Sequence, residues 1–286
     1  MKKIIILILV CTFIPYFVSS CKKEKKTDNN ITEIDSDSLA FQKKIEEAKE
    51  IFYSLPAPHE VAELLTNQQN DAYFDQTLLN SLDNSEKYTT EVAKAYNLGI
   101  YSADLSYASL FEQNQIVIKY MAKNKVLAEQ LGIINAFDDE TLNKLQDNIN
   151  NRDQIMRIIS ENFMNSDAYL QENNRQDIGA MILLGGWIEG MYIAMKLTDC
   201  TTKNKKLVSS ILEQKLSLEL TVKFLEDYKN YDGLRLFYDD IKNLYEIYES
   251  IPTEIDDKGL LTTKESDFIK ICKKIEKIRN KIVSLT

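Results

Sequence analysis

The feature that most restricts the fold of this chain is a long stretch without proline. No proline occurs between Pro58 and Pro252, and the 286 residues include only eight glycines. Proline and glycine are the residues least compatible with a helix interior, so long uninterrupted helices are possible here. Apolar side chains recur with a period of about 3.6 residues, and the alternation typical of strands is absent. We therefore expect an all-α fold, either a multi-helix bundle or a short helical array.

The apolar period and the helix-end signals place the individual helices. We predict main helices over residues 36–54, 57–68, 85–111, 113–131, 150–172, 174–198, 203–228, 233–250 and 263–284, and shorter ones near 75–82 and 138–148. Thr262 and Glu265 have the spacing of a capping box and predict the start of the last helix. Gly132 directly follows Leu131 and predicts a left-handed C-terminal cap.

The N-terminus has the pattern of a bacterial lipoprotein signal. Lys2 and Lys3 precede a mostly apolar run over residues 4–18, and the segment ends in Val18-Ser19-Ser20-Cys21. A charged start, an apolar stretch and small residues at the cleavage site are typical of secretory signals. The last four residues resemble the bacterial lipobox, which implies removal of residues 1–20 and lipidation of Cys21. The alternatives are an ordinary secretory signal and an uncleaved anchor helix.

Three segments follow from this interpretation. We expect a lipoprotein signal peptide over residues 1–20, a lipidated cysteine with a flexible tether over 21–38, and an all-helical domain over 39–286. The tether is polar and lacks a hydrophobic period, as solvated linkers do. The lipid expected on Cys21 is diacylglycerol with an N-acyl chain, and more than one chain is needed for stable anchoring. We expect no other cofactor.

Charge and the scarcity of histidine exclude several classes of function. The formal net charge is −9 at pH 7, and nucleic-acid binding needs clustered basic residues, so we expect none. His59 is the only histidine, which excludes dimetal sites built from two Glu-x-x-His motifs and leaves no obvious catalytic triad. We predict no metal site and no catalytic residue. Cys200 and Cys272 either form a disulfide bridge or remain separate thiols.

Two apolar segments contain an unusual number of small residues. They cover residues 96–108 and 178–195, and the second holds four of the eight glycines. Glycine costs a helix about 1 kcal/mol relative to alanine, so this density needs a packing reason. Gly179, Gly186 and Gly190 share one face by their spacing, and we expect the backbone of another helix to approach closely there.

The same two segments also resemble each other. Residues 104–107 match residues 189–192 at an offset of 85 (189 − 104), and residues 98–99 match residues 184–185 at an offset of 86 (184 − 98). Each segment is followed by another long predicted helix. The similarity favours a fold of two related halves.

Each segment contains one acid, Asp104 or Glu189, among apolar residues. An ionised carboxylate buried without a partner costs several kcal/mol, so each acid needs a partner or a proton. One hypothesis is a shared polar pocket that binds a cation or a small polar ligand. In that pocket Tyr107, Trp187 and Tyr192 would surround the two acids.

The alternative hypothesis is a buried hydrogen-bond network without a ligand. Tyrosine hydroxyls, or an arginine such as Arg157 or Arg175, would then satisfy the acids. A third possibility is a two-carboxylate glycosidase site formed by Asp104 and Glu189. Residues 178–195 could also be interpreted as a membrane span, but Glu189 and the glycine-rich face favour a buried helix of a soluble domain.

Tyrosines are concentrated near the penultimate predicted helix. They are Tyr228, Tyr231, Tyr238, Tyr245 and Tyr248. A half-buried helix face with hydroxyls in water explains this pattern, because a tyrosine ring is apolar and its hydroxyl is polar. The alternative is an exposed aromatic surface that binds a partner or a glycan.

Three segments of the chain resemble all-helical lipoproteins of Bacteroidetes-type bacteria. They are SLPAPHEVAELL (54–65), KYTTEVAKAYNLGIYSADLSYASLF (87–111) and LLGGWIEGMYIAM (183–195). This resemblance carries no activity and no catalytic residues, but it implies attachment to the outer membrane. Export to the surface of such bacteria usually requires acidic residues after the lipidated cysteine. The lysines at 22–23 and 25–26 depart from that pattern and favour the periplasmic face over the cell surface.

Together these features predict a lipid-anchored protein of the cell envelope. Its membrane contact is the lipid anchor, and we expect it to be non-catalytic and to bind a partner protein or a small ligand. One alternative is an enzyme that uses Asp104 and Glu189. The other is a purely structural component of the envelope.

Overall fold

The structure is a computed structural model that describes residues 74–133 and 139–286. All described residues belong to the second of the two units of the chain, Leu39–Thr286. Several predicted features lie outside the described residues: the signal peptide, the lipidation site Cys21, the tether, His59 and the helices over 36–54 and 57–68.

The described residues are predominantly helical, which confirms the predicted all-α fold. The helices are α1 (Glu91–Leu110), α2 (Asn114–Gln130), α3 (Asp139–Asp147), α4 (Arg152–Glu172), α5 (Gln176–Lys196), α6 (Lys205–Glu213), α7 (Lys215–Asp227), α8 (Asp232–Ser250) and α9 (Glu265–Val283). Short 3₁₀ turns cover Gln76–Leu78 and Leu82–Lys87, and two-residue strands, β1 (Glu254–Ile255) and β2 (Leu261–Thr262), form an antiparallel hairpin.

Local signals explain where the helices begin and end. The Thr90 hydroxyl accepts a hydrogen bond from the backbone N–H of Ala93, so α1 begins later than predicted. The predicted helix over 203–228 is two helices, α6 and α7, which are separated at Gln214. The predicted left-handed cap is present at Gly132, with φ of 73°.

The predicted capping box at the start of α9 is wrong. Thr262 belongs to β2, and its hydroxyl donates to the carbonyl of Glu254 instead of capping a helix. Lys264 is the N-cap residue of α9, and its side chain makes no capping hydrogen bond.

Helix α5 is the centre of the described domain. Almost all of its side chains are buried, and it packs most extensively against α1, with further contacts to α9, α4, α8 and α6. By length and composition α5 could cross a membrane, but core helices of soluble proteins have the same properties. Burial on all sides explains why its sequence is apolar around the whole helix.

Close approach between α1 and α5 is made possible by two glycines. A Cβ atom on Gly99 would lie 2.0 Å from the backbone oxygen of Ile182, and one on Gly185 would lie 2.1 Å from that of Tyr96. Neither position accepts any side chain without separation of the two backbones. The predicted close helix contact is therefore confirmed in this region, with Gly99 and Gly185 at its closest points. Of the glycines predicted there, Gly186 takes part, since a Cβ on Gly99 would lie 2.7 Å from its nitrogen.

The three predicted contact glycines have different surroundings. A Cβ on Gly186 would lie 3.4 Å from the backbone oxygen of Gly99, which is at the tight limit of ordinary contact. A Cβ on Gly190 would meet nothing within 4 Å, and this residue is exposed. Gly179 is buried within α5. The close contact is therefore centred on Gly185, and the assignment to Gly190 is wrong.

The contacts between α1 and α5 advance in the same direction along both helices. Arg175, just before α5, pairs with Glu91 at the start of α1, and further along both helices Asp104 interacts with Glu189. The two helices therefore run parallel, and positions related by the sequence offset of 85 lie near each other. The interpretation of two related halves stays a prediction.

Candidate functional site

The α1–α5 contact brings the two predicted acids together in the core. Asp104 and Glu189 both have 0% solvent exposure, and each acid acts on the pKa of the other. Asp104 lies five residues after Gly99 and Glu189 four residues after Gly185. The close approach at the glycines thus places both acids at the next turn of the same interface.

Arg279 of α9 forms an ion pair with Glu189. Its Nε lies 2.9 Å from Glu189 Oε2, and its second terminal nitrogen lies 3.0 Å from Oε1. This is the two-bond geometry in which a guanidinium and a carboxylate match best. The same nitrogen reaches the Leu78 carbonyl at 3.4 Å, and the guanidinium lies 4.6 Å from the centre of the Tyr192 ring. The arginine side chain is only 11% exposed.

The carboxyl group of Asp104 receives fewer hydrogen bonds than that of Glu189. Its Oδ2 accepts a hydrogen bond of 3.0 Å from the Asn80 N–H, whereas its Oδ1 receives no hydrogen bond from any donor in the described part of the chain. Burial, and then the negative charge of Glu189, raise the pKa of Asp104 well above its ordinary value. Burial also raises the pKa of Glu189, against the opposing effect of Arg279.

The raised pKa of Asp104 favours its protonated form at neutral pH. The Asp104 hydroxyl then donates to the Glu189 carboxylate, so the unsatisfied oxygen gains a partner. Glu189 remains ionised, because Arg279 donates two hydrogen bonds to it. The group of three side chains is then electrically neutral, as a buried cluster should be. We call Asp104, Glu189 and Arg279 the buried triad.

An irregular segment, residues 75–88, covers the buried triad. The Tyr101 hydroxyl donates to the Ser81 carbonyl at 2.7 Å, and the Tyr120 hydroxyl donates to the Asn80 carbonyl at 2.9 Å. The Asn80 side chain donates to the Tyr88 hydroxyl at 3.0 Å. Tyrosines from α1 and α2 therefore fix the segment whose backbone N–H binds Asp104.

The three aromatic residues predicted beside the acids have different surroundings. Tyr192 packs on the guanidinium of Arg279, so it belongs to the triad's immediate neighbourhood. The Tyr107 hydroxyl instead accepts a hydrogen bond from the Asp75 N–H, and its ring stacks on Phe74. Trp187 is buried, and its indole N–H has no hydrogen-bond partner among the described residues. Their role as ligand-binding residues stays a prediction.

Sequence reasoning chose the wrong arginines as partners of the acids. Arg175 bonds the Leu131 carbonyl and Glu91, and Arg157 bonds Gln154 at the surface. A signal for Arg279 was present: it is the only arginine in α9, beside the apolar stripe of that helix and among lysines. Bidentate pairing with a carboxylate requires arginine and not lysine.

The geometry of the buried triad is poorly suited to chemistry on a substrate. Both acids are closed to solvent, and the better proton acceptor, Glu189, is occupied by Arg279 on both oxygens. A general acid or base must come within hydrogen-bond reach of its substrate. Among residues 74–133 and 139–286, no group of three or more His, Cys, Asp or Glu side chains is arranged to hold a metal ion.

Comparison of the chain with known protein families, curated proteins and solved structures finds no match. The resemblance of residues 18–21 to the lipobox, and that of the three longer segments to Bacteroidetes-type lipoproteins, stay predictions.

Proposed function

We propose that this chain is a lipid-anchored, non-catalytic protein of the cell envelope that binds a partner protein with its outer surface. The buried triad joins α1, α5 and α9 and stabilises the fold. The observation that carries the proposal is the closure of Asp104 and Glu189, which both have 0% exposure. A small-ligand site at these acids would need an opening through residues 75–88. Hydrogen bonds between the backbone of this segment and Tyr101, Tyr107 and Tyr120 hold it in place.

The anchoring part of the proposal is supported by Val18-Ser19-Ser20-Cys21 after an apolar leader. Cys21→Ser removes the thiol to which the lipid is predicted to be attached. We expect this variant to lose labelling by an alkyne-tagged fatty acid and to leave the membrane fraction. Labelling that persists in Cys21→Ser cells would contradict lipidation at this residue.

The binding part is supported by exposed apolar side chains around α7 and the start of α8. Leu216 is 64% exposed and Tyr231 is 47% exposed. Half-buried rings adjoin Tyr231, with Phe224 and Tyr228 centroids 4.8 Å apart and Tyr228 and Tyr231 centroids 5.9 Å apart. Exposed aromatic and aliphatic groups of this kind, flanked by charged residues, are typical of protein-binding surfaces.

Photo-crosslinking in living cells tests partner binding. A benzoylphenylalanine at position 216 or 231 should give an ultraviolet-dependent adduct with another envelope protein. The control is the same residue at Asn173, an exposed polar position at the end of α4. Adducts at 216 or 231 but not at 173 are expected. Equal adducts at all three positions, or none at 216 and 231, would contradict a binding surface here.

A further inference from the structure

A pair of cysteines lies at the other end of the α5–α9 contact. Cys272 is buried in the middle of α9, and Cys200 is half-buried in the turn that follows α5. The residues are far apart in the chain, but the turn that carries Cys200 lies against α9, since the Thr202 N–H donates to Glu265 Oε2 at 3.5 Å. The two thiols are neighbours, and Cys200 raises the pKa of Cys272. Both are free thiols in this structure. The buried triad does not use either of them.

The segment around Cys200 is held in a fixed geometry. Asp199 and Cys200 both have φ of 52°, a left-handed conformation that is uncommon for residues other than glycine. The Cys200 N–H donates to the Met195 carbonyl at 3.2 Å, and the Thr198 hydroxyl donates to the same carbonyl at 2.6 Å. The turn therefore keeps the Cys200 thiol beside α9.

A second, independent contact joins the same two elements. Lys196 and Glu276 form an ion pair of 2.7 Å between the end of α5 and α9. Lys196 lies four residues before Cys200, and Glu276 lies four residues after Cys272. The thiol pair and the ion pair are thus four residues apart on each side of the same contact between α5, with the turn after it, and α9. The charge of Lys196 acts on both sulfurs.

We propose that Cys200 and Cys272 form a redox-active dithiol that closes to an intramolecular disulfide by exchange with a disulfide oxidant. Cys200 is the accessible sulfur, so its thiolate attacks the oxidant, forms a mixed disulfide and releases one thiol. The Cys272 thiolate then attacks Cys200 Sγ and displaces the second thiol. The two protons lost by the cysteines end on the two released thiols, and the two electrons reduce the oxidant.

The bridge would tie the turn after α5 to α9 and close a chain segment of 72 residues (272 − 200). Cross-links that close long segments restrict the unfolded chain and thereby stabilise the folded one. The oxidation state of the pair would therefore set the stability of this end of the domain. Burial raises the pKa of Cys272, so little of this sulfur is thiolate and its attack on Cys200 Sγ is the slower of the two steps. Both cysteines lie in the folded domain, so closure of the bridge requires neither lipidation nor a partner protein.

Oxidised glutathione, added to the full chain purified in detergent, tests the proposal. Trypsin then releases residues 197–203 and 271–273, which carry the two cysteines. We expect these two peptides to be joined by a disulfide, the melting temperature to rise by roughly 5–15 °C, and dithiothreitol to reverse both changes. Cysteines nearer the N-terminus lie in other peptides, so they cannot produce this product.

Two variants complete the experiment. Cys200→Ser, at a half-buried position, should fold normally and show no rise in melting temperature with oxidised glutathione. In Cys272→Ala the reaction should stop after the first step, so that glutathione stays bound to Cys200 as a mixed disulfide. If the wild-type chain also retains glutathione on Cys200 alone, or both cysteines stay free, the proposal is wrong.

Discussion

Replacement of Arg279 by methionine is expected to destabilise the folded chain by about 3–5 kcal/mol at neutral pH. The arginine is the cation of the buried triad, and it donates hydrogen bonds to both oxygens of Glu189. Without it, Glu189 must remain charged in the core or take up a proton, and either state costs free energy. Chemical denaturation followed by circular dichroism measures the loss.

A matched control is available on α8. Arg235 pairs with Asp232 at the surface, where the two side chains are 66% and 87% exposed. Arg235→Met is therefore expected to leave the denaturation midpoint almost unchanged, because exposed ion pairs stabilise little. Equal effects of the two Arg→Met changes would contradict a buried, stabilising role for Arg279.

A compensating change should rescue the Arg279→Met variant. Glu189→Leu removes the carboxylate that has lost its partner, and well-packed apolar replacements of buried ion pairs are often as stable as the pair itself. The double variant Arg279→Met/Glu189→Leu should therefore recover most of the lost stability. Additive losses in the double variant would mean that the two side chains act independently.

Gly185→Ala and Gly190→Ala are expected to change stability in opposite directions, although they are the same substitution in one helix. The Cβ at position 185 would lie 2.1 Å from the Tyr96 backbone oxygen, so α1 and α5 must separate. Overpacking of this kind costs roughly 1–3 kcal/mol and occasionally more. At position 190 the Cβ meets nothing within 4 Å, and alanine gains about 1 kcal/mol of helix propensity.

Thermal unfolding of the two glycine variants checks this assignment. The melting temperature should fall for Gly185→Ala and rise slightly for Gly190→Ala. A melting temperature that falls for Gly190→Ala and not for Gly185→Ala would place the close helix contact at Gly190, as the glycine spacing predicted.

The sequence predicted the helices well because their signal is local. The apolar period and the absence of proline are properties of neighbouring residues, and they gave most helices to within a few positions. The contact face of α5 could not be predicted in the same way. Its side chains are apolar on all sides, so the sequence contains no polar face that would orient the helix. Of the three glycines predicted at the contact, Gly186 lies there and Gly190 does not.

The buried triad was predicted only in part. Asp104 and Glu189 stood out because each is the single acid of an apolar segment, residues 96–108 or 178–195. Their pairing follows from the contact of α1 with α5. Arg279 lies far away in the chain, on a helix rich in lysine, and only the packing of α9 against α5 brings it to Glu189. Asn80 lies in an irregular segment between two 3₁₀ turns, where periodicity carries no information.

The central claim is that the two acids form a closed structural network with one shared proton. The pKa of Asp104 is raised, so the folded chain binds this proton more tightly than the unfolded chain does. The stability that this proton provides is complete below the ordinary pKa of 3.8 and is lost as pH rises toward the raised value. The groups that act on Asp104 are Glu189 and Arg279, with Tyr101 and Tyr120 nearby.

Asp240 on α8 is the matched control with the opposite sign. Although burial opposes it, hydrogen bonds from Lys274 and Lys281 lower the pKa of Asp240. Its contribution to stability is present above the ordinary pKa of 3.8 and is lost as pH falls. Asp240→Asn should therefore be less stable than wild type at neutral pH, and the difference should shrink in acid.

The most direct measurement is the free energy of unfolding of Asp104→Asn and of wild type from pH 4 to pH 8. An asparagine amide can replace the protonated carboxyl as a donor to Glu189 and cannot ionise. The account predicts that the variant gains stability relative to wild type as pH rises, opposite to Asp240→Asn. A variant that loses stability relative to wild type as pH rises would show that Asp104 is ionised in the folded chain and would contradict the shared proton.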